Sequence, residues 1–167
     1  MKRTQRGFTI VELLIVIVVI AILAAITIVA YNGIQERART SKISSDLRML
    51  NQAVMVARIN ADKTLFEITG SGGSAGGCTY KSDGANLADL PKSDGCWVGY
   101  IHALQAISTA SGSNVTNLVD PWGRPYFIDE NEGENDACGK DRIGTYTHPY
   151  VSGWDSNDTM LIPTYSC

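Results

Sequence analysis

Glu12 is the most unusual residue of the chain, because its carboxyl group lies inside an otherwise uncharged apolar run. The run extends from Phe8 to Tyr31 and reads FTIVELLIVIVVIAILAAITIVAY. An ionised carboxylate in the middle of a membrane helix costs on the order of 2.5 to 3.5 kcal/mol by insertion scales. Glu12 therefore either reaches the headgroup region from its place near the start of the run, or pairs with a cation.

The apolar run is long enough to cross a membrane. A helix over residues 8–31 would extend about 36 Å, against a hydrocarbon core of about 30 Å. Lys2, Arg3 and Arg6 precede it without any acidic residue, so the positive-inside rule places the N-terminus in the cytoplasm and exports the chain that follows. Two simpler interpretations stay open, namely an ordinary secretory signal and a plain single-span anchor.

The residues around Glu12 carry a specific resemblance. The segment from Arg6 to Leu14, RGFTIVELL, resembles the class III signal of type IV prepilins. The resemblance implies that a prepilin peptidase cleaves between Gly7 and Phe8 on the cytoplasmic side and methylates the new amino group of Phe8. It also implies that Glu12 pairs with that amine in its own chain or in a neighbour, which would offset the burial of both charges.

The family resemblance implies a structural subunit rather than an enzyme. Its predicted function is that of a pilin, held in the cytoplasmic membrane as precursor and subunit pool and polymerised through its N-terminal helix into a type IV pilus-like filament at the cell surface. The predicted partners are other copies of the chain, prepilin peptidase, the assembly machinery in the membrane and minor pilins. Within the family, the alternative is a type II secretion or competence pseudopilin. Outside it, the alternative is a non-polymerising single-span membrane protein with an extracytoplasmic binding head.

The sequence contains no pattern of catalytic or nucleic-acid-binding residues. His102 and His148 have no neighbours at the spacing of a catalytic triad or a metal site. The net charge is −3 although the first seven residues are basic, so the exported part is acidic and lacks a basic surface for nucleic acid. We therefore predict no catalytic site and no nucleic-acid partner.

An acidic loop is the candidate for a metal site. Clustered carboxylates can hold calcium, and the family resemblance adds that related pseudopilin heads bind calcium in this region. The spacing is not that of an EF-hand, and acidic loops are often simply solvated. The predicted calcium ligands are Asp129, Glu130, Glu132, Glu134, Asp136, Asp155 and Asp158.

The cysteines all lie beyond the apolar run, at Cys78, Cys96, Cys138 and Cys167. None has the spacing of a zinc site, and an even number in an exported segment predicts two disulfides. Four cysteines allow three pairings. The pairs Cys78 with Cys96 and Cys138 with Cys167 are favoured because each closes a modest local loop, which stabilises the fold by about 3 kcal/mol.

The sequence after Tyr31 predicts that the helix of residues 8–31 continues. Apolar residues recur at helical spacing, with charged residues between them; the stripe consists of Ile34, Ala38, Ile43, Leu47, Leu50, Val54 and Ala57. The predicted regions are a basic leader at 1–7, a transmembrane assembly helix at 8–31, an amphipathic half of that helix at 32–60 and an exported globular head at 61–167.

The sequence of the head predicts a helix followed by a small antiparallel sheet. Residues 96–110 place Tyr100, Ile101, Leu104 and Ile107 on one helical face. Short apolar runs between turn residues predict strands at 115–119, 125–128, 145–151 and 160–165. The predicted class is α+β, with a long N-terminal helix packed on a small antiparallel sheet, as the resemblance to the type IV pilin fold implies.

Two further motifs lie in the head. The segment from Asp120 to Tyr126, DPWGRPY, resembles the DPWG-x-PY turn of major pseudopilins and some Gram-positive pilins. It predicts a structural turn, because Pro121 fixes φ and Gly123 permits a positive φ. The sequons that begin at Asn114 and Asn157 carry little weight by themselves, since such triplets occur by chance.

Overall fold

A computed structural model describes residues 7–70, 77–134, 138–153, 156–165 and 167. Its elements are the helices α1 (Ile10–Ala61), α2 (Leu65–Thr69) and α3 (Gly95–Ser111) and the strands β1 (Tyr126–Asp129), β2 (Asp141–Tyr146) and β3 (Ser156–Ile162). The chain divides into two compact units, one that ends at Thr40 and one from Ser41 to Cys167. The long helix followed by helices and a small antiparallel sheet confirms the predicted α+β class.

The first unit contains the N-terminal part of α1, whose large apolar side chains are exposed. Between Ile10 and Ile26 these side chains are 48% to 85% exposed. The stretch Ile10–Thr27 is long and apolar enough to span a membrane. Its β-branched residues have only modest helix propensity in water, but lipid favours a helix because every backbone polar group is then bonded within the segment.

In the second unit, α1 buries one face in the core of the head. The buried residues of this face are Ile43, Leu47, Leu50, Ala53, Val54 and Ala57. The predicted apolar stripe lies within α1, but it begins before this buried face, because Ile34 is 66% exposed and Ala38 is exposed as well. Periodicity identifies a helical face, but it cannot show where the surface that covers this face begins.

Helix α3 confirms the predicted packing element. Asp94 caps its N-terminus by accepting a hydrogen bond from the Cys96 amide at 2.9 Å. Gly112 ends the helix with a φ of 73°, a left-handed conformation that glycine adopts without steric cost. The buried face consists of Cys96, Trp97, Tyr100, Ala103, Leu104, Ile107 and Ser111.

The strands form an antiparallel sheet in the order β1-β2-β3. Tyr126 pairs with Thr145 across β1 and β2, and Asp141 pairs with Ile162 across β2 and β3. All four residues of β1 are buried, so this edge of the sheet belongs to the core. The predicted runs 125–128 and 160–165 overlap β1 and β3.

Of the other two predicted strands, the first does not form and the second is shorter than predicted. Residues 115–119 form no strand, because the Val115 amide donates to Ser108 Oγ at 3.1 Å and the Val115 carbonyl accepts from the Leu118 amide at 3.3 Å in a turn. The run 145–151 leaves the sheet after Tyr146, where β2 ends. The charged start of β2 gave no alternating apolar pattern from which to predict a strand.

The disulfides have the pairing that loop length favoured. Cys78 is bonded to Cys96, and Cys138 is bonded to Cys167. The first bond is buried where the backbone passes close to the start of α3: a Cβ at Gly77 would lie 2.6 Å from the Gly95 carbonyl oxygen. A side chain at position 77 would therefore push the two bonded segments apart.

We expect loss of the buried disulfide to lower the free energy of unfolding of the head by about 3 kcal/mol, because the unfolded chain is no longer restricted by a closed loop. The variant is Cys78→Ala with Cys96→Ala, measured by urea unfolding with tryptophan fluorescence. Cys138→Ala with Cys167→Ala is the comparison, since its sequence separation of 29 residues predicts a loss of similar size. A loss below about 1 kcal/mol for the buried pair would contradict the loop-closure argument.

Candidate functional site

The residues around the predicted cleavage point form the start of α1. The Thr9 amide donates to Glu12 Oε2 at 2.9 Å, and the Glu12 amide donates to Thr9 Oγ1 at 3.2 Å. The Thr9 hydroxyl also donates to Glu12 Oε2 at 2.8 Å. This reciprocal arrangement is a capping box, which satisfies two amides that have no partner within the helix.

Gly7 and Phe8 precede the helix in an exposed, non-helical segment. Phe8 is 86% exposed, and nothing lies within 4 Å of the position that a Cβ at Gly7 would occupy. The peptide bond between them is thus accessible to a protease. Its cleavage would convert the Phe8 nitrogen into a cationic amine close in sequence to Glu12, whose carboxylate lies at the helix end that favours negative charge.

The capping role of Glu12 is one that our reading of the sequence missed. A threonine followed three residues later by glutamate, directly before an apolar run, is the signature of a capping box. Thr9 and Glu12 have this spacing. The role gives Glu12 a structural function in the isolated chain, in addition to the snorkelling and ion-pairing considered from the sequence.

A second charged centre is buried in the head around Arg58. Its side chain is 1% exposed, and its Nη2 forms ion pairs with Asp141 and with Glu132, the latter at 3.5 Å. Nη1 donates to the Pro163 carbonyl at 2.6 Å. The Tyr165 amide donates to Glu132 Oε2 at 2.7 Å. Because these carboxylates are bonded to a cation and to backbone amides, part of the cost of their burial is offset.

Glu130 lies beside this centre without a cationic partner among the described residues. It is 7% exposed, and Thr69 Oγ1 lies 2.7 Å from its Oε1 and 3.0 Å from the Leu65 carbonyl oxygen. One hydroxyl proton cannot serve both acceptors, whereas a protonated Glu130 donates to Thr69 while Thr69 donates to Leu65. Burial, assisted by the carboxylates of Asp141 and Asp129, raises the pKa of Glu130 to about 7.

The DPWGRPY segment forms the predicted structural turn. Asp120 Oδ1 accepts from the amides of Trp122 at 2.9 Å and Arg124 at 2.8 Å, and Gly123 has a φ of +77°. Arg124, 1% exposed, donates from Nε to Asp120 Oδ2 at 2.7 Å and from Nη1 to the Thr147 carbonyl at 2.7 Å. The sequence predicted the turn but not the arginine that joins it to the end of β2.

The comparisons with known proteins agree on one family. Residues 2–28 match the family model of the prokaryotic N-terminal methylation motif. The chain is 32% identical over 122 residues to a type IV major fimbrial protein, FimA, of Dichelobacter nodosus, an alignment that covers 68% of this chain and 75% of that protein. The chain belongs to the type IV pilin and pseudopilin family. This membership confirms the resemblance identified from the class III signal.

Other relatives come from both branches of the pilin and pseudopilin family. The chain is 32% identical over 127 residues to the type II secretion system core protein G of Aeromonas hydrophila, covering 75% of this chain and 73% of that protein. It is 41% identical over 63 residues to the type IV major alpha-pilin of Moraxella bovis, covering 38% and 35%. No solved structure matches. The relatives are named as fimbrial and secretion-system proteins rather than as enzymes.

The carboxylates predicted to bind calcium do not form one cluster in the described part of this pilin-family head. Asp129 pairs with Arg142, Glu130 contacts Thr69 and Glu132 pairs with Arg58. Asp158 lies near Thr145, with 3.4 Å between the Thr145 hydroxyl and a carboxylate oxygen, and Glu134 lies in the turn after β1. Asp136 and Asp155 lie outside the described residues. No described group of three or more such side chains could hold a metal ion, and calcium binding stays a prediction.

The buried Glu130 makes the stability of the head dependent on pH. Its pKa is raised from 4.5 to about 7 in the folded state, so the folded head binds a proton more tightly than the unfolded chain does. The free energy of unfolding should therefore fall as pH rises from about 4.5 to about 7, by roughly 3 kcal/mol from this group.

The test is to measure the free energy of unfolding of wild type and Glu130→Gln at several pH values. Glutamine keeps a neutral hydrogen-bonding group at this position, so the difference between the two proteins isolates the titration of Glu130 from that of other carboxylates. The matched control is Glu36→Gln, because Glu36 is exposed on α1. Parallel pH profiles for wild type and Glu130→Gln would refute the assignment.

Proposed function

We propose that the chain is a pilin: a precursor inserted in the cytoplasmic membrane, cleaved between Gly7 and Phe8, methylated on Phe8 and polymerised through α1 into a type IV pilus-like filament. The observation that carries this proposal is the methylation motif over residues 2–28, which joins an exposed cleavage point to an uninterrupted apolar helix. Cleavage before the helix leaves the membrane anchor attached to the exported head.

In this proposal Glu12 changes partner during maturation. In the uncut chain its carboxylate accepts hydrogen bonds from the Thr9 amide and hydroxyl. Cleavage supplies a cationic amine at Phe8, and a carboxylate surrounded by lipid or by apolar helices is strongly favoured to pair with such a cation. An amine on a neighbouring subunit would serve as well, so the pair can align an incoming subunit with the filament.

The exposed apolar surface of α1 supports polymerisation. Side chains from Ile10 to Ile26 have no covering partner within the described chain, and they are solvated by lipid in the subunit pool and covered by other copies in the filament. Extraction from lipid exchanges one apolar environment for another, so it needs specific packing and ion pairing rather than a hydrophobic driving force. The partners are other copies of the chain, the peptidase, the membrane assembly machinery and minor pilins.

A pseudopilin of a type II secretion system is the second candidate. The alignment with core protein G covers 75% of this chain, more than the 68% covered by the first fimbrial relative, at the same 32% identity. The turn built on Asp120 also fits this branch. Both candidates require the same cleavage, methylation and helix-mediated assembly, and they differ in whether the filament extends from the cell surface or serves secretion.

The first experiment is the intact mass and N-terminal sequence of the protein from its native envelope, together with the yield of sheared filaments. We expect a start at methylated Phe8 for wild type. Glu12→Ala removes both the capping box and the charge, whereas Glu12→Gln retains an acceptor for the cap and removes only the charge. Both variants should be exported normally and should lower the filament yield at least about tenfold, a change that corresponds to about 1.4 kcal/mol of lost pairing.

The controls separate ion pairing from capping. Thr9→Val removes the hydroxyl of the cap and keeps the carboxylate, so it should retain more filament than Glu12→Gln. Wild-type filament yield from Glu12→Gln would contradict the ion-pair role, and a start at Met1 in exported protein would identify a plain membrane anchor instead.

The predicted calcium site has a separate test. A site that is saturated at calcium concentrations about 100-fold above its Kd stabilises the head by about 2.7 kcal/mol, so chelation should lower the melting temperature of the purified protein by several degrees. Glu134→Gln and Asp158→Asn should reduce this shift, and Glu36→Gln should not. A melting temperature that does not change with chelator would exclude the site.

A further inference from the structure

The sequon at Asn114 lies in the exposed connection between α3 and the Asp120 turn. Asn114 is exposed, and the following Val115 is 1% exposed in the core. Thr116 Oγ1 donates a hydrogen bond to Asn114 Oδ1 at 2.9 Å. The hydroxyl and the amide that define the sequon are therefore in direct contact, and Asn114 Nδ2 has no partner among the described residues.

This contact prepares the amide for attack on an electrophile. A carboxamide nitrogen is a poor nucleophile because its lone pair is delocalised into the carbonyl group. A hydroxyl that donates to the carbonyl oxygen stabilises negative charge there, which makes the N–H groups more acidic. The bond joins residues two positions apart and needs no tertiary contact, so it can form in a chain that has not yet folded.

The second sequon has a different environment. Asn157 lies in β3, where it is paired with Thr145 of β2, and its carbonyl accepts from Thr145 Oγ1 at 3.3 Å. Gly144 lies directly against this backbone, because a Cβ at Gly144 would be 2.8 Å from the Asn157 carbonyl oxygen. Asn157 is exposed as well, but it lies in a paired strand, whereas Asn114 lies in a loop.

We propose that Asn114 is an N-glycosylation site of the exported head, with a lipid-linked sugar pyrophosphate as the sugar donor. Asn114 Nδ2 forms a bond to the anomeric carbon of the sugar, and the bond from that carbon to the pyrophosphate oxygen breaks. The lipid pyrophosphate leaves with the electron pair, and one amide proton passes to a base of the transferase. Because Val115 is buried in the folded head, transfer precedes folding, and the modified side chain then stays in solvent.

The proposal depends on export of the head but not on polymerisation. The test is peptide mass mapping of protein from its native envelope, before and after an amidase that releases N-linked glycans in heavy-oxygen water. We expect the peptide that contains Asn114 to carry a glycan, and the amidase to leave aspartate with one heavy oxygen at that position. The peptide that begins at Phe8 reports leader cleavage separately, so a failure of the proposed function is seen on another peptide.

Variants of both sequons make the test specific. Asn114→Gln and Thr116→Val should abolish the modification, and Thr116→Ser should retain it because serine keeps the hydroxyl. Asn157→Gln is the matched control and should leave the Asn114 glycan unchanged. An unmodified Asn114 peptide in the wild-type protein, or a glycan that persists in Thr116→Val, would overturn the proposal.

Discussion

The buried guanidinium of Arg58 joins parts of the head that lie far apart in sequence. It is bonded to Asp141 at the start of β2, to Glu132 after β1 and to the carbonyl of Pro163 after β3. Asp141 in turn accepts the amides of Asn131 and Glu132 at 2.8 and 2.9 Å. Removing one partner of such a buried network typically costs 3 to 5 kcal/mol, because the remaining charge is left without compensation.

A second polar contact joins α1 to the sheet at Asp46, which lies earlier in the helix than Arg58. Tyr126 Oη donates to Asp46 Oδ2 at 2.7 Å, and Lys42 pairs with the same carboxylate and donates to the Val119 carbonyl at 2.8 Å. Between Asp46 and Arg58 the contact is apolar, with Leu50, Val54 and Ala57 fully buried. The apolar residues supply most of the packing energy, and the polar bonds at either end define the register of helix and sheet.

The same helix serves two environments that impose opposite requirements. From Ile10 to Thr27 α1 is apolar on all sides, as lipid or neighbouring helices demand. From Ile43 onward it is apolar mainly on the face that the head covers. Glu12 is the exception in the first part, and its carboxylate is hydrogen-bonded in a capping box with Thr9. The methylation motif that matches residues 2–28 includes both residues of this box.

The sequence by itself determined the features that depend on neighbouring residues: the membrane-spanning run, the prepilin signal around Gly7 and Phe8, the helical face of α3 and the turn at Asp120. Each is encoded by residue types within a few positions, so pattern and propensity suffice. The disulfide pairing was favoured from loop length and appears in the structure. The spacing of Thr9 and Glu12 also indicates the capping role of Glu12, which our sequence analysis did not predict.

Only the tertiary structure decided which charges meet. Arg58 and Asp141 are 83 positions apart, and Asp46 and Tyr126 are 80, so no local pattern relates them. The acidic residues from Asp129 to Asp141 looked like one cluster in sequence, yet the fold gives several of them different partners, because ion pairing depends on distances that chain folding creates. The strand expected at 115–119 failed for a local reason, since hydrogen bonds from the Val115 amide to Ser108 and from the Leu118 amide to Val115 hold this segment in a turn.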